Sequence, residues 1–440
     1  MRRIGALGAM TESTPDLAKS TMATVTRRLL PFLLVLYIVS WLDRANVCFA
    51  ALQMNVDLGF SAAVYGFGAG IFFIGYGLFE IPSNLVMVKV GPRLWIARIM
   101  ITWGLISASM MFIQGERSFY VMRFLLGVAE AGFLPGIIYY LSQWFPSAER
   151  ARAVSWFMMA IPLSIVIGGP LSGVLMEMNG ILGLRGWQWM YLVEGLPAAV
   201  LGFVVLGYLT DTPAEARWLA PAQRQWLERR IQEEHAQTTA RYRVSLAQAL
   251  LHPTVWKLAL IMFTIQTGSY GLTLWVPQIV KGWSKLGNLQ VGLISALPYA
   301  AAAAGMVLIG ISSDRRGERF LHIAIPTAVG AMGFVAAAYL ASPVAGLLAL
   351  TVAAVGDYGT RGPFWALPGR FLAGDAAAGG VALINTLGAF GGFIGPYLVG
   401  YLKNLTGSFE SGLLVLAFLL LLGAVGTLRL RDAPMLAATS

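Results

Sequence analysis

FYVMRFLLGVAEAGFLPGIIYYLSQWF, residues 119–145, is the stretch from which the rest of the chain is read. At about 1.5 Å of rise per residue it is long enough to cross a hydrocarbon core of about 30 Å as a helix. Two charges interrupt it, Arg123 and Glu130. A charge at membrane depth costs about 3 kcal/mol or more unless it is paired or faces a polar cavity. The spacing is two helical turns, so both side chains lie on one face, about 10 Å apart along the axis. One reading is a buried ion pair that locks two helices together. The other is an ion or substrate pathway.

Composition sets the class. Of 440 residues, 57% are hydrophobic and 12% charged, and mean hydropathy is +0.70. A soluble domain carries roughly 25% charged residues, so this is a polytopic membrane protein. The net charge of +10 could suit nucleic acid, but its distribution argues against that partner. Of 31 Lys and Arg, only Arg117, Arg185, Lys281, Lys285 and Lys403 fall in loops on one side of the expected spans. Arg44, Arg123 and Arg361 fall inside spans, and all the others lie on the opposite side. That asymmetry is the positive-inside pattern, and it predicts cytoplasmic termini. The single cysteine, Cys48, excludes an intrachain disulfide and a cysteine-based metal site. No metal and no cofactor is expected.

Taken in order, residues 1–26 are mixed and polar and read as a cytosolic tail, without a signal-peptide core. A first six-span half over 27–210 has spans near 29–49, 62–86, 94–113, 119–145, 153–176 and 189–209. The first span holds Asp43 and Arg44. Neighbours on a helix point about 100° apart, so the two cannot serve one spot. A pair at the outer interface, with Arg44 snorkelling to water, is one reading. Gly66, Gly68 and Gly70 in the second span are not a nucleotide fingerprint, because no strand precedes them. Small residues at this spacing let helices approach closely. Tyr76 and Glu80 share that span, and Glu80 reads as a structural or gating contact. Glu194, in the sixth span, reads as structural.

Residues 211–257 carry twelve charged residues and read as a cytosolic linker with one or two amphipathic helices. A second six-span half over 258–430 follows, with spans near 258–280, 290–311, 321–341, 344–366, 376–402 and 410–428, then a short tail over 431–440. The fold class is therefore an all-α membrane protein with twelve transmembrane helices in two six-helix halves. An internal repeat supports this. Gly91 in one inner loop and Gly317 in another are 226 apart, and Gly169-Pro170 recurs as Gly395-Pro396 at the same offset. Carriers built from such repeats bind substrate between the halves, near the midplane.

Gly310, Asp314, Arg315, Gly317 and Arg319 form a loop that resembles the signature of the major facilitator superfamily. In the first-half copy Asn84, Val88 and Lys89 stand where Gly, Asp and Arg would be. LDRAN at 42–46, FEIPSN at 79–84, the run from Arg123 to Pro135, WFP at 144–146, LWVPQI at 274–279 and GVALINT at 380–386 are similar to the anion:cation symporter family. The seventh-span and GVALINT segments are most similar to its tartrate and phthalate branch. The resemblance implies an importer of small organic anions, usually with protons. It implies proton-coupling roles for Asp43 and Glu130 and carboxylate-binding roles for Arg44 and Arg123. Tyr76, Asn385 and Trp365 match lining positions. Ile161 stands where sugar-acid carriers have Gln, which favours a smaller or less hydroxylated acid.

The chemistry can be stated from the residues themselves. An anion in a low-dielectric site needs a cation, and Arg offers a planar, bidentate fork. Glu130 would compete for Arg123, so protonating Glu130 would free that arginine for substrate and link the two bindings. The expected partners are a small organic anion, protons and the bilayer of the inner membrane, with the proton gradient in place of a cofactor and a monomer as the expected state. A neutral-sugar facilitator gives the charges no role. An organophosphate antiporter would want a matching arginine in the second half, but position 44 plus 226 is Tyr270, a lining candidate instead. No H-E-x-x-H, Walker lysine or G-x-S-x-G is present, so an enzyme is not expected. A non-transporting sensor stays open.

Overall fold

A computed structural model describes residues 14–241, 252–340, 342–368 and 374–431, and every regular element among them is helical. The first half comprises α1 (Thr14–Asp57), α2 (Ala62–Val90), α3 (Pro92–Ser109), α4 (Glu116–Glu130), α5 (Phe133–Trp144), α6 (Ser147–Met158), α7 (Ala160–Met176) and α8 (Gly186–Tyr208). Helix α9 (Pro221–Arg241) leads to the second half. There follow α10 (Pro253–Thr273), α11 (Val276–Trp283), α12 (Asn288–Arg316), α13 (Leu321–Tyr339), α14 (Pro343–Tyr358), α15 (Arg361–Trp365), α16 (Gly374–Thr406) and α17 (Glu410–Leu430). Among the described residues eleven runs are long and apolar enough to cross a membrane, and the α10–α11 pair, bent by 43°, makes a twelfth. The chain is a multi-pass membrane protein.

Helix α1 starts before the first expected span. It is 44 residues long and begins at Thr14, inside the stretch read as tail. Pro15 sits in its first turn, where a missing N–H costs nothing, and the downstream hydroxyls of Ser20, Thr21 and Thr24 bond back to carbonyls of the same helix. The linker does carry a helix, α9, docked by its apolar side: Leu227 is fully buried, and Trp218 just before it stacks on Trp144 at 5.3 Å. Arg150 ties α6 to α9 through Glu234 at 2.8 Å. The expected linker residues 242–251 and the tails 1–13 and 432–440 lie outside the described residues.

Several spans are broken, and the break in the quoted stretch positions the site. Between α4 and α5, Gly132 takes φ 89°, a value few other residues tolerate. Pro135 has no N–H to offer the carbonyl of Ala131. The Ser83 hydroxyl donates to that carbonyl instead, at 2.6 Å, and accepts the Trp95 indole N–H at 3.0 Å. The helix therefore ends at Glu130, with its carboxylate at the break.

The halves meet where glycines remove side chains. A Cβ on Gly66 would lie 2.5 Å from the Pro396 carbonyl oxygen, and one on Gly292 would lie 2.2 Å from that of Gly169. Tyr65 Oη donates to the Leu274 carbonyl at 2.8 Å. These contacts join the start of α2, the end of α10 and the end of α16, so the bundle is shut at the end remote from the start of α1.

The signature loop closes on itself. Gly317 caps α12 in the left-handed conformation, and Arg319 Nη1 pairs with Asp314 at 2.5 Å and donates to Ser313 Oγ at 2.9 Å. Arg315 is exposed, and Gly310 faces open space. Partial burial pushes the Glu318 carboxyl up, but the amide of Leu321 and the ring and amide of His322 outweigh it and hold it below the usual range. In the first-half copy, where Val88 replaces the acid, Asp211 from the far side of the half accepts the Arg93 amide at 2.8 Å.

Candidate functional site: a charged cleft between the halves

Between the halves lies a tight cleft of about 10 Å³, room for about one water, walled by Trp41, Arg44, Phe72, Phe73, Arg123, Tyr270 and Thr273. Both arginines expected to bind carboxylate face it. A larger depression lies between the start of α1, α6 and α9, away from every intramembrane charge.

Arg44 is not at an interface, which corrects the snorkelling reading. Its Nε donates to Glu130 Oε1 at 2.7 Å, and the two side chains are 9% and 1% exposed. Ser40, one turn earlier on α1, donates to the same oxygen at 2.7 Å. The guanidinium also lies over the Tyr76 ring at 4.9 Å and the Trp41 ring at 5.5 Å. Its Nη2 has no hydrogen-bond partner.

Glu130 therefore pairs with Arg44, and the expected competition between Glu130 and Arg123 is corrected. Two turns of α4 separate Arg123 from Glu130, about 10 Å, which no direct ion pair can bridge. Arg123 is 1% exposed. It lies over Phe72 at 4.9 Å, and its Nη2 donates to the Ala69 carbonyl at 3.1 Å. Its Nε and Nη1 are buried without partners. A fully buried cation whose hydrogen bonding stops at one neutral carbonyl is costly, and it is ready-made to receive a carboxylate.

Asp43 points the other way. It is 1% exposed and accepts from the Trp103 indole at 2.5 Å, Ser107 Oγ at 2.8 Å and Asn46 Nδ2 at 3.2 Å. The hundred-degree step between neighbours places it against α3, behind the cleft.

The second half contributes Tyr270, which stacks on Trp41 with ring centroids 6.4 Å apart and meets Phe73 at a tilt, with centroids 4.2 Å apart. Asn385 is not among the residues that wall the cleft; its Nδ2 donates to Glu80 Oε1 at 2.6 Å across the interface between halves. Glu80, four residues past Tyr76, keeps Oε2 buried without a partner. Trp365 is not brought to the cleft: it is 38% exposed and packs edge-on against Phe364.

Sequence reasoning left out a second charged group. Asp357, fully buried, accepts from the Ser269 hydroxyl. Arg361 donates to Gln266 and Ser269. The signal was present: two opposite charges at i, i+4 inside an apolar run. Among the described residues no group of His, Cys, Asp and Glu could hold a metal ion.

A twelve-crossing bundle whose halves enclose cleft-facing arginines defines a membrane carrier. The chain belongs to the Major Facilitator Superfamily, whose family model matches residues 33–396. This makes it a transporter and not an enzyme. It is 50% identical over 420 residues to a protein of Agrobacterium vitis named "Putative tartrate transporter", covering 95% of this chain and 96% of that one. It is 42% identical over 412 residues to the "Quinolone resistance transporter" of Acinetobacter baumannii, covering 94% and 95%. Its fold matches an inward-facing, occupied bacterial homologue of the lysosomal transporter Spinster, with a TM-score of 0.75 at 16% identity over 92% of this chain and 96% of that one.

Proposed function

We propose that the protein imports a small organic anion together with protons, across an inner membrane with both termini cytoplasmic. The observation that carries this reading is the unequal state of the two cleft arginines. Arg44 has a carboxylate at 2.7 Å, and Arg123 has none within hydrogen-bonding reach. A substrate carboxylate takes the free N–H groups of Arg123. Protonation of Glu130 then releases Arg44 to complete a two-arginine clamp, since a neutral carboxyl is a weak partner for a guanidinium. Proton and substrate each favour the other's binding, and that reciprocity is what couples them. Asp43, held by three donors behind the cleft, is a second proton site. Tyr76 and Tyr270 shape the cleft, and Asn385, bonded to Glu80, is a further substrate contact from the second half.

The tartrate name of a relative at 50% identity supports a small hydroxy-acid as cargo, and so does Ile161, which offers no hydrogen bond to a polyol. The bilayer, the anion and protons are the only partners this mechanism requires, and a monomer suffices. The test is uptake of labelled tartrate into proteoliposomes with and without an imposed proton gradient. Accumulation only with the gradient inward supports symport. Gradient-independent equilibration supports a facilitator. Outward movement of a quinolone, with no uptake of organic acid, supports efflux.

A further inference from the structure

We propose that Arg361 is a second anchor for the carrier's cargo, receiving the distal carboxylate of a short diacid whose first carboxylate sits on Arg44 and Arg123. The inference rests on the anion reading above and narrows it from organic anions to diacids.

Arg361 begins α15, just past the break at Gly359–Thr360 that ends α14. Its hydrogen bonds go to two neutral acceptors, Gln266 Oε1 and Ser269 Oγ. The nearest acid, Asp357, lies 3.8 Å away, beyond hydrogen-bonding distance. That carboxylate is already served by the Ser269 hydroxyl. Ser269 thus stands between the charges, accepting from one and donating to the other. Arg44, by contrast, touches its acid directly. A guanidinium held by neutral acceptors gains from a carboxylate, because a charge-assisted bond is about twice as strong as a neutral one.

Exposure says which of the pair is available. The Asp357 side chain is 0% exposed and that of Arg361 20%, so the cation is the more accessible of the two. Its position is next to the cleft. The Tyr358 ring lies under the guanidinium at 5.4 Å, and Tyr358 Oη is 3.1 Å from Thr273 Oγ1, a cleft wall residue. Ser269 adjoins Tyr270 in sequence and lies one turn of α10, about 6 Å, from Thr273. A diacid reaching past Thr273 and Tyr358 would bridge α1 and α4 of one half to α15 of the other. The matching arginine absent from position 270 is thereby supplied from a different helix. The repeat supports this: 226 residues after Glu130, the acid at the break in the fourth span, is position 356, adjacent to Asp357 at the break in the tenth.

The experiment is equilibrium binding of tartrate and of its monoamide, which swaps one carboxylate for a neutral group of the same size, to purified wild type, Arg361→Gln, Asp357→Asn and Arg123→Lys. Wild type should prefer the diacid by about tenfold or more, the scale of one charge-assisted contact. Arg361→Gln should bring that ratio close to one by weakening the diacid. Unchanged discrimination in a variant that melts like wild type overturns the proposal. If Arg361→Gln does not fold, Asp357→Asn decides: it removes the negative charge 3.8 Å from Arg361 and should tighten the diacid, and unchanged or weaker diacid binding overturns the proposal. Arg123→Lys separates the two levels. Loss of both acids in that variant, with the ratio intact in Arg361→Gln, defeats the second anchor alone. Retention of both in Arg123→Lys, or binding of neither by wild type, defeats the anion reading and this inference with it.

Discussion

Arg123 and Arg44 stand a few ångströms from the same aromatic wall, yet only one has an acid beside it. Replacing Arg123 by Lys keeps the charge and removes the planar fork. Tartrate affinity should fall by tenfold or more while the melting temperature holds, as equilibrium binding and thermal unfolding in detergent would show. Asp43 makes a different prediction. Its bond from the Trp103 indole is charge-assisted and buried, so Trp103→Phe should cost about 1.5–3 kcal/mol, read as reduced stability in denaturant or heat. The residue types were legible in the sequence, since an Arg or Glu inside an apolar run has few bland explanations. The pairing was not. Arg123 and Glu130 share a face of one helix, but whether Glu130 meets Arg123 or Arg44 depends on how α1 lies against α4, which spacing within one helix does not encode. The partner of Asp357 was hidden for a related reason: Ser269 comes from α10, nearly ninety positions earlier in the chain.

At the scale of the element, the break in the fourth span is the feature on which the site depends. Residues 119–145 read as one continuous span because Ala131, Gly132 and Phe133 are as apolar as their neighbours, and hydropathy is blind to φ. The break becomes intelligible only with Ser83 in place. Gly132→Ala should destabilise the fold by about 1–3 kcal/mol, because φ is 89° and the new Cβ would lie 2.4 Å from Ser83 Oγ. It should also impair transport out of proportion to its effect on stability, since Glu130 ends the helix two residues earlier. Parallel melts and uptake assays check both. Wild-type melting and uptake in Gly132→Ala would show that the break is not required.

For the molecule as a whole, the span count and the two-half repeat were readable from composition and from two echoes at one offset. The ends of the helices were not, because hydropathy marks where lipid is tolerated and not where hydrogen bonding stops. Helix α1 continues into a polar stretch for that reason. Which end of the bundle is shut could not be read either, since it depends on contacts such as Gly66 with Pro396 that join the halves. Orientation offers a clean prediction. Cys48 is buried, so an introduced Lys19→Cys on the exposed start of α1 should be the sole reactive thiol. An impermeant maleimide should label it only from the cytosolic side.

The coupling claim is tested most directly by Glu130→Gln. Glutamine mimics the protonated acid and leaves Arg44 without its ionic partner, so tartrate should still bind, at least as tightly as to wild type at neutral pH. With no proton to release, net uptake driven by a proton gradient should vanish, while exchange of internal for external tartrate persists. Uptake, exchange and equilibrium binding on the purified variant in the same liposomes give all three readings. If Glu130→Gln still accumulates tartrate when a proton gradient is imposed, Glu130 is not the coupling site and the account of the Arg44–Glu130 pair is wrong.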